Sequence, residues 1–217
     1  MSLDIILVAF VAVFIFLRLR SELGKKTGNE PQPPLAGQHS RYKLHDDLQA
    51  EAEDRTSQAD IIDMEEDPVL RGTYADIRKL DRSFNVAQFI DGAKSAYGMI
   101  LEAFWAGDKD TLANFLDDAV IAKFGTAIAA REAGELTIEN QLLDVTDASV
   151  ISAELVSGRA EITVHFTSEV VAVTRNKDGK IVEGNASDAV DMNDKWTFSR
   201  DVKSRDPSWT LIATSAG

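Results

Sequence analysis

Residues 149–174 read SVISAELVSGRAEITVHFTSEVVAVT, and this stretch decides the fold class. Ser149–Leu155, Ala160–Phe166 and Val170–Thr174 are rich in β-branched side chains and read as strands, with Val145 marking strand character upstream. Ser157-Gly158 is a tight turn. Asn176-Lys177-Asp178-Gly179 is a hairpin turn, with glycine where the backbone needs positive φ. Two more strands follow at Asp194–Asp201 and Ser208–Thr214. Trp196 and Phe198 alternate to one face, as do Trp209 and Leu211.

Upstream, the period changes from two to between three and four. Val86, Phe89, Ile90, Ala93, Tyr97, Ile100, Leu101 and Phe104 form one apolar stripe. Ser83 is the expected cap of this helix, which runs to about Trp105. Gly107 ends it, and Asp108 caps a second helix carrying Leu112, Phe115 and Leu116. Asp117 or Asp118 opens a third, which Gly134 closes. Helices followed by a run of antiparallel strands predict an α+β domain, with helices packed on one face of a bent antiparallel sheet. Such a sheet often encloses an apolar pocket, and Phe104, Trp105, Trp196, Phe198 and Trp209 are its candidate walls; core packing is the competing reading for the tryptophans.

Before this domain the chain turns oily. Ile5–Leu17 is an unbroken run of 13 apolar residues, extended by Leu3 and Leu19 across Asp4 and Arg18. As a helix, 3–19 spans roughly 25 Å, enough to cross a slightly thinned bilayer with flanking arginines snorkelling. The eleven Leu, Ile, Val and Phe residues of Ile5–Leu17 favour insertion by about 3 to 7 kcal/mol. A signal peptide fits less well, because no basic residue precedes the run and Arg18-Leu19-Arg20, not a small-residue cleavage site, follows it. The expectation is an uncleaved single-pass anchor, with Ile5, Phe10, Phe14 and Leu17 in the membrane and Arg18 and Arg20 at its edge. The basic cluster Arg18, Arg20, Lys25 and Lys26 then leaves the C-terminal body in the cytoplasm of a bacterial inner membrane.

Residues 20–66 read as a flexible acidic tether. Gly24, Gly28, Pro31, Pro33, Pro34 and Gly37 break any helix, and from Asp46 to Asp67 the only base is Arg55. The domain proper is 67–217. Asp67-Pro68 signals a helix start, and Leu70, Tyr74, Ile77 and Leu80 make a short amphipathic helix at about 69–80. Its other face carries Arg71, Arg78 and Lys79. Docking of the stripe onto the main domain is one reading; contact of the basic face with anionic lipid is the other.

Composition excludes much chemistry. The 217 residues carry a formal charge of −13, so an overall basic nucleic-acid footprint is absent and no nucleic-acid partner is expected. There is no cysteine, which removes disulfides, thiol nucleophiles and thiolate metal sites. Of three histidines only His165 lies in the domain, opposite Val164 and Phe166 on its strand. No phosphate-loop, nucleotide or metal motif occurs, and no cofactor or metal is expected. Arg200, Lys203 and Arg205 alternate with Asp201 and Asp206 in the turn before the last strand. Ion pairing that fixes the turn and a recognition loop for a partner both fit.

Four segments carry a family resemblance: Phe89-x-x-Gly92-Ala93; Glu102-Ala103-Phe104-x-x-Gly107-Asp108; Arg131-Glu132-Ala133; and Trp196-Thr197-Phe198-x-Arg200-Asp201-x-Lys203-Ser204-x-Asp206-Pro207-x-Trp209. With them, about 67–217 resembles the C-terminal domain of the 44-kDa subunit of the mitochondrial inner-membrane translocase, and more closely the short alphaproteobacterial TimA-type adaptors. The resemblance implies a cystatin-like, nuclear-transport-factor-two-type cone. It also implies a non-catalytic adaptor that binds a protein partner or lipid in protein transport or membrane-protein quality control. The mitochondrial protein's long charged N-terminal region, which recruits a DnaK-type chaperone, has no counterpart in the anchor and tether, so chaperone recruitment is not carried over. Two alternatives stand beside the adaptor. Cones of this type also host isomerases and dehydratases, and a buried Asp facing His165 across a cavity would favour a membrane-tethered pocket enzyme. A mitochondrial ribosomal protein shares the domain, but the acidic surface argues against direct RNA contact.

Overall fold

The computed structural model describes residues 67–217. The expected anchor and tether lie outside the described residues, and among those described no helix is long and apolar enough to cross a membrane. Among the described residues four helices precede the sheet: α1 (Pro68–Leu80), α2 (Val86–Ala106), α3 (Lys109–Ala113) and α4 (Asp118–Ala133). Five strands follow: β1 (Thr137–Ile138), β2 (Gln141–Val156), β3 (Arg159–Arg175), β4 (Ile181–Asp201) and β5 (Thr210–Ala216).

The helix signals operate as their chemistry dictates. The Asp67 side chain accepts from the Val69 and Leu70 amides, and Pro68 occupies the first turn, where its missing N–H costs nothing. Asp108 and Asp117 accept from the amides of Thr111 and Val120. Gly107 ends α2 in the left-handed region at φ +76°. The cap of α2 is a correction. Asn85, not Ser83, accepts from the Gln88 amide, because the helix starts at Val86 and places Asn85 at the cap, while the Ser83 hydroxyl donates to Asp81 at 2.6 Å.

All sheet pairings are antiparallel, in the order β1–β3–β4–β5, with β2 beside β1 along the outer edge of β3. Ser157 and Gly158 both have positive φ, the signature of a type I′ hairpin turn between β2 and β3. The strands are longer than their sequence signals. Ala160–Phe166 and Val170–Thr174 are one strand, joined through Thr167-Ser168-Glu169. Ser168 reads as a break yet is fully buried, because a tyrosine hydroxyl lies within hydrogen-bonding distance. β4 starts at Ile181, well before Asp194, because its first half is exposed on both faces and carries no alternation.

The core lies between the helices and one sheet face. Ala160, Ile162, Val164, Phe166, Ser168 and Val170 of β3 are inaccessible, and they face Phe89, Ala93, Tyr97, Ile100 and Leu101 of α2. The segment between α3 and α4 is tied to β5. The Leu211 amide donates to the Phe115 carbonyl, and the Asp117 amide donates to the Leu211 carbonyl.

Candidate functional site

Helix α1 docks by its apolar stripe. Leu70, Tyr74 and Ile77 are buried, Ile77 completely, which at about 1.5–3 kcal/mol per buried side chain is a firm attachment. Arg71 and Lys79 face outward and Arg78 is half-buried. Lys79 pairs with Asp76 at 2.7 Å, but both are more than half exposed, so the pair adds about 0–1 kcal/mol. Val69 and Leu80 are also exposed on this helix, at 70% and 49%. The outward face of α1 therefore mixes cationic and apolar groups.

The end of α1 is fastened to the sheet. Asp81 is its C-cap residue, and its carboxylate accepts from the Ser83 amide and hydroxyl and from the guanidinium of Arg200 on β4. The side chains of Asp81 and Arg200 retain only 15% and 10% exposure. Burial pushes the Asp81 carboxyl up, but hydrogen bonds from Ser83 and then the charge and hydrogen bond of Arg200 outweigh it, leaving the group below the usual carboxylate range. Arg200 also lies over the Trp209 ring, 5.0 Å from its centroid. Trp209 in turn packs against Phe84 and Phe89.

This geometry divides the residues that the sequence grouped. Arg200 is taken up internally, whereas Lys203 and Arg205 are exposed in the loop beyond. That loop is held by side-chain-to-backbone hydrogen bonds: Asp201 to the Lys203 amide, Ser204 to the Asp206 amide and Asp206 to the Ser208 amide. Its expected internal ion pairing is replaced by the longer-range pair of Arg200 with Asp81. Of the candidate pocket walls, Trp196 and Phe198 are buried and Trp209 is half-buried, linked through Phe89. Phe104 instead meets Phe124, with Arg131 over its ring, and Trp105 is half-buried against the core. The anchor residues Ile5, Phe10, Phe14, Leu17, Arg18 and Arg20 lie outside the described residues.

A buried polar bridge joins α2 to the sheet. Tyr97 of α2 is fully buried, stacked on Phe166 at 4.4 Å and packed against Trp196. Its hydroxyl donates to the Asp194 carboxylate at 2.7 Å and lies 3.0 Å from the Ser168 hydroxyl. Burial raises the Asp194 carboxyl above its ordinary value, with the Tyr97 hydrogen bond and then the His165 charge opposing. Burial and the neighbouring carboxylate raise the Tyr97 phenol as well. Asp194 pairs with Phe166 across the ladder and His165 with Lys195, so Asp194 and His165 leave the sheet on opposite faces. A His–Asp dyad of the kind the enzyme alternative requires is not formed by these two. In the sequence Tyr97 is one member of an apolar stripe and Asp194 the first residue of a strand. Their separation of 97 residues left no local signal.

The bridge predicts a pH dependence. Because the folded pKa of Asp194 is raised, its contribution is full below the unfolded value of about 3.9 and is lost as pH rises through the folded value. Asp194→Asn removes this titration while keeping an acceptor for Tyr97. The stability of the variant relative to the parent should therefore rise from about pH 4 upward and level off above the folded pKa. Urea unfolding across pH checks it; parallel stability curves for the two proteins would refute the assignment.

Together these features define an α+β domain whose four helices lie before a single antiparallel sheet, bound at one end by an ion-pair latch and at its centre by a tyrosine–carboxylate bridge. The chain belongs to the Tim44-like domain family, whose model matches residues 70–216. It is 24% identical over 144 residues to the human mitochondrial import inner membrane translocase subunit TIM44, covering 65% of this chain and 32% of that protein. It is 23% identical over 141 residues to the probable import translocase subunit tin-44 of Caenorhabditis elegans, covering 63% and 33%. The chain thus matches about a third of the length of these relatives. Among solved structures, the intermembrane space region of the chloroplast protein ARC6 aligns with 60% of this chain and 92% of its own at a TM-score of 0.38 and 14% identity, too remote to bear on function.

Proposed function

We propose that this protein is a non-catalytic, single-pass inner-membrane adaptor of bacterial type, acting in protein transport or membrane-protein quality control. Residues 3–19 are the anchor, 20–66 the tether, and 67–217 the cytoplasmic body, curved into a cone. The family membership of 70–216 carries this reading, since its mitochondrial relatives are named as inner-membrane translocase subunits. The apolar run Ile5–Leu17 supplies the membrane attachment. The outward face of α1, with Arg71, Arg78, Lys79 and exposed Val69 and Leu80, is the lipid-facing side of the body. Lys203 and Arg205 extend from the sheet end as contacts for a protein partner, and the aromatic group around Trp209 offers it an apolar wall.

Deleting residues 1–20 should release the protein into the soluble fraction at about 1 M salt, where the Debye length is about 3 Å and surface attraction is screened. A truncated form that stays membrane-bound there would remove the anchor from the reading. Protease added to spheroplasts should leave the body intact; its digestion overturns the cytoplasmic orientation. Crosslinking of the full chain in membranes, followed by mass spectrometry, should recover translocation or quality-control components. Recovery of only small-molecule enzymes would count against the adaptor.

A further inference from the structure

Helix α1 carries its own end caps. Asp67 satisfies amides at its start, and the Asp81 amide donates to the Ile77 carbonyl at its end, so the helical turns do not depend on the sheet for their terminal hydrogen bonds. Between α1 and α2 lie only Asp81 to Asn85, of which Phe84 is buried against Tyr74 and Trp209. The attachments of α1 to the body include two kinds: the stripe Leu70, Tyr74 and Ile77, and the Asp81–Arg200 pair.

These two kinds behave differently beside a bilayer. The apolar stripe is removed from water whether it lies on the sheet or in the interfacial region of a membrane, so its burial largely cancels between the two positions. Lifting α1 also bares the strip of the body that it covers, so the exchange requires the membrane to cover that strip as well. The ion pair does not cancel, because it exists only while α1 is docked. Arg200 is moreover nine-tenths buried, and its Nε–H has no acceptor. A lipid phosphate reaching Arg200 finds a donor that Asp81 leaves unused, together with the fork geometry that suits phosphate. Asp81 therefore occupies, from within the chain, a place that an anionic headgroup can take.

We propose that the Asp81–Arg200 pair is a latch on α1, and that anionic lipid opens it, exchanging the contact of Leu70, Tyr74 and Ile77 with the sheet for contact with the membrane interface. This rests on the reading that α1 faces anionic lipid, and it adds that the docked helix is one of two positions.

The test uses the full chain in phosphatidylcholine proteoliposomes, with and without phosphatidylglycerol bearing a photoactivatable acyl chain. Crosslinked residues are mapped by mass spectrometry, and amide exchange is followed over 68–80 and over β2. With phosphatidylglycerol, crosslinks should reach Leu70, Tyr74 and Ile77, and exchange over α1 should quicken. Asp81→Asn should quicken α1 exchange by about tenfold, the factor that accompanies each ~1.4 kcal/mol of latch lost, even in phosphatidylcholine alone. Crosslinks confined to Arg71, Lys79 and their outward neighbours, with unchanged exchange, would leave the lipid reading standing and overturn the latch. No crosslinks to α1 beside strong labelling of 3–19 would overturn both. If Asp81→Asn does not fold, the comparison of the unmodified chain in the two lipids decides alone.

Discussion

Trp196→Ala is expected to destabilise the domain by about 3–5 kcal/mol, the range for truncating a buried large aromatic. Trp196 is 3% exposed and sits at the centre of the inner sheet face. Its ring lies 4.6 Å from Tyr97, 6.0 Å from Phe166 and 6.4 Å from Phe198. Each well-placed aromatic pair adds about 0.5–1.5 kcal/mol beyond area burial, and three are lost together. The cavity also loosens Tyr97, whose hydroxyl serves the buried Asp194 carboxylate, so the bridge weakens with the packing. Trp209 is half-buried at the edge of the same aromatic group, and its truncation should cost less. Chemical denaturation monitored by far-UV circular dichroism, which does not depend on the deleted indole, measures both. A loss below about 1 kcal/mol for Trp196→Ala, typical of surface positions, would mean that the aromatic group is not the centre of the core.

The difference between what could be read in the chain and what could not follows from the range of each interaction. Caps act over three residues, so Asp67, Asp108, Asp117 and Gly107 announce themselves locally and are found where expected. Ser83 and Asn85 are both good capping residues two positions apart, and spacing alone does not rank them; Asn85 takes the cap and Ser83 joins the turn through Asp81. Alternation located the buried halves of β3 and β4 but not the exposed half of β4, where neither face is buried and no pattern is required. The helix at 68–80 is legible as amphipathic, yet the fastening of its end rests on Asp81 meeting Arg200 across 119 residues. The same holds for Tyr97 with Asp194. Both are charge or hydrogen-bond contacts between elements that the sequence places far apart, and both decide how the candidate site is built. In the sequence Arg200 is one base among several in a turn; burial alone distinguishes it from Lys203 and Arg205.

Gly184→Ala should cost about 2–4 kcal/mol, since a side chain held at positive φ costs about 1–3 kcal/mol and steric overlap adds to it. Between the pairs Val171↔Ala189 and Val173↔Gly184, two steps of β3 face five steps of β4. The surplus loops out as a bulge. The Asn185 side-chain amide donates to the Asp188 carboxylate at 2.6 Å, and the Ser187 amide donates to the Asn185 side-chain oxygen at 3.0 Å. Gly184 stands at its base with φ +84°, and a methyl group there would overlap the Ala172 carbonyl oxygen. Backbone cannot swing aside as a side chain can, so β3 and β4 must separate locally. Gly179, in the adjoining hairpin turn, also has positive φ (+75°) but has open space around it. Gly179→Ala should therefore cost only the conformational part, about 1–2 kcal/mol. The extra loss at Gly184 should appear as faster amide exchange over 171–189, with the inaccessible part of β3 around Ile162 and Val164 keeping its protection. Equal effects of the two substitutions would sink the argument. The bulge also has a physical use. β5 pairs with β4 only along Asp194–Ser199, so among the described residues no strand covers the outer edge of the first half of β4. A strand edge of that length invites pairing with another chain, and a bulge closed by its own hydrogen bonds twists and interrupts it. Parting β3 from β4 at the bulge by Gly184→Ala frees further strand edge and should thus raise the tendency to self-associate through 181–192, measurable by sedimentation at increasing concentration, which ties the left-handed glycine to the solubility of the domain as well as to its stability.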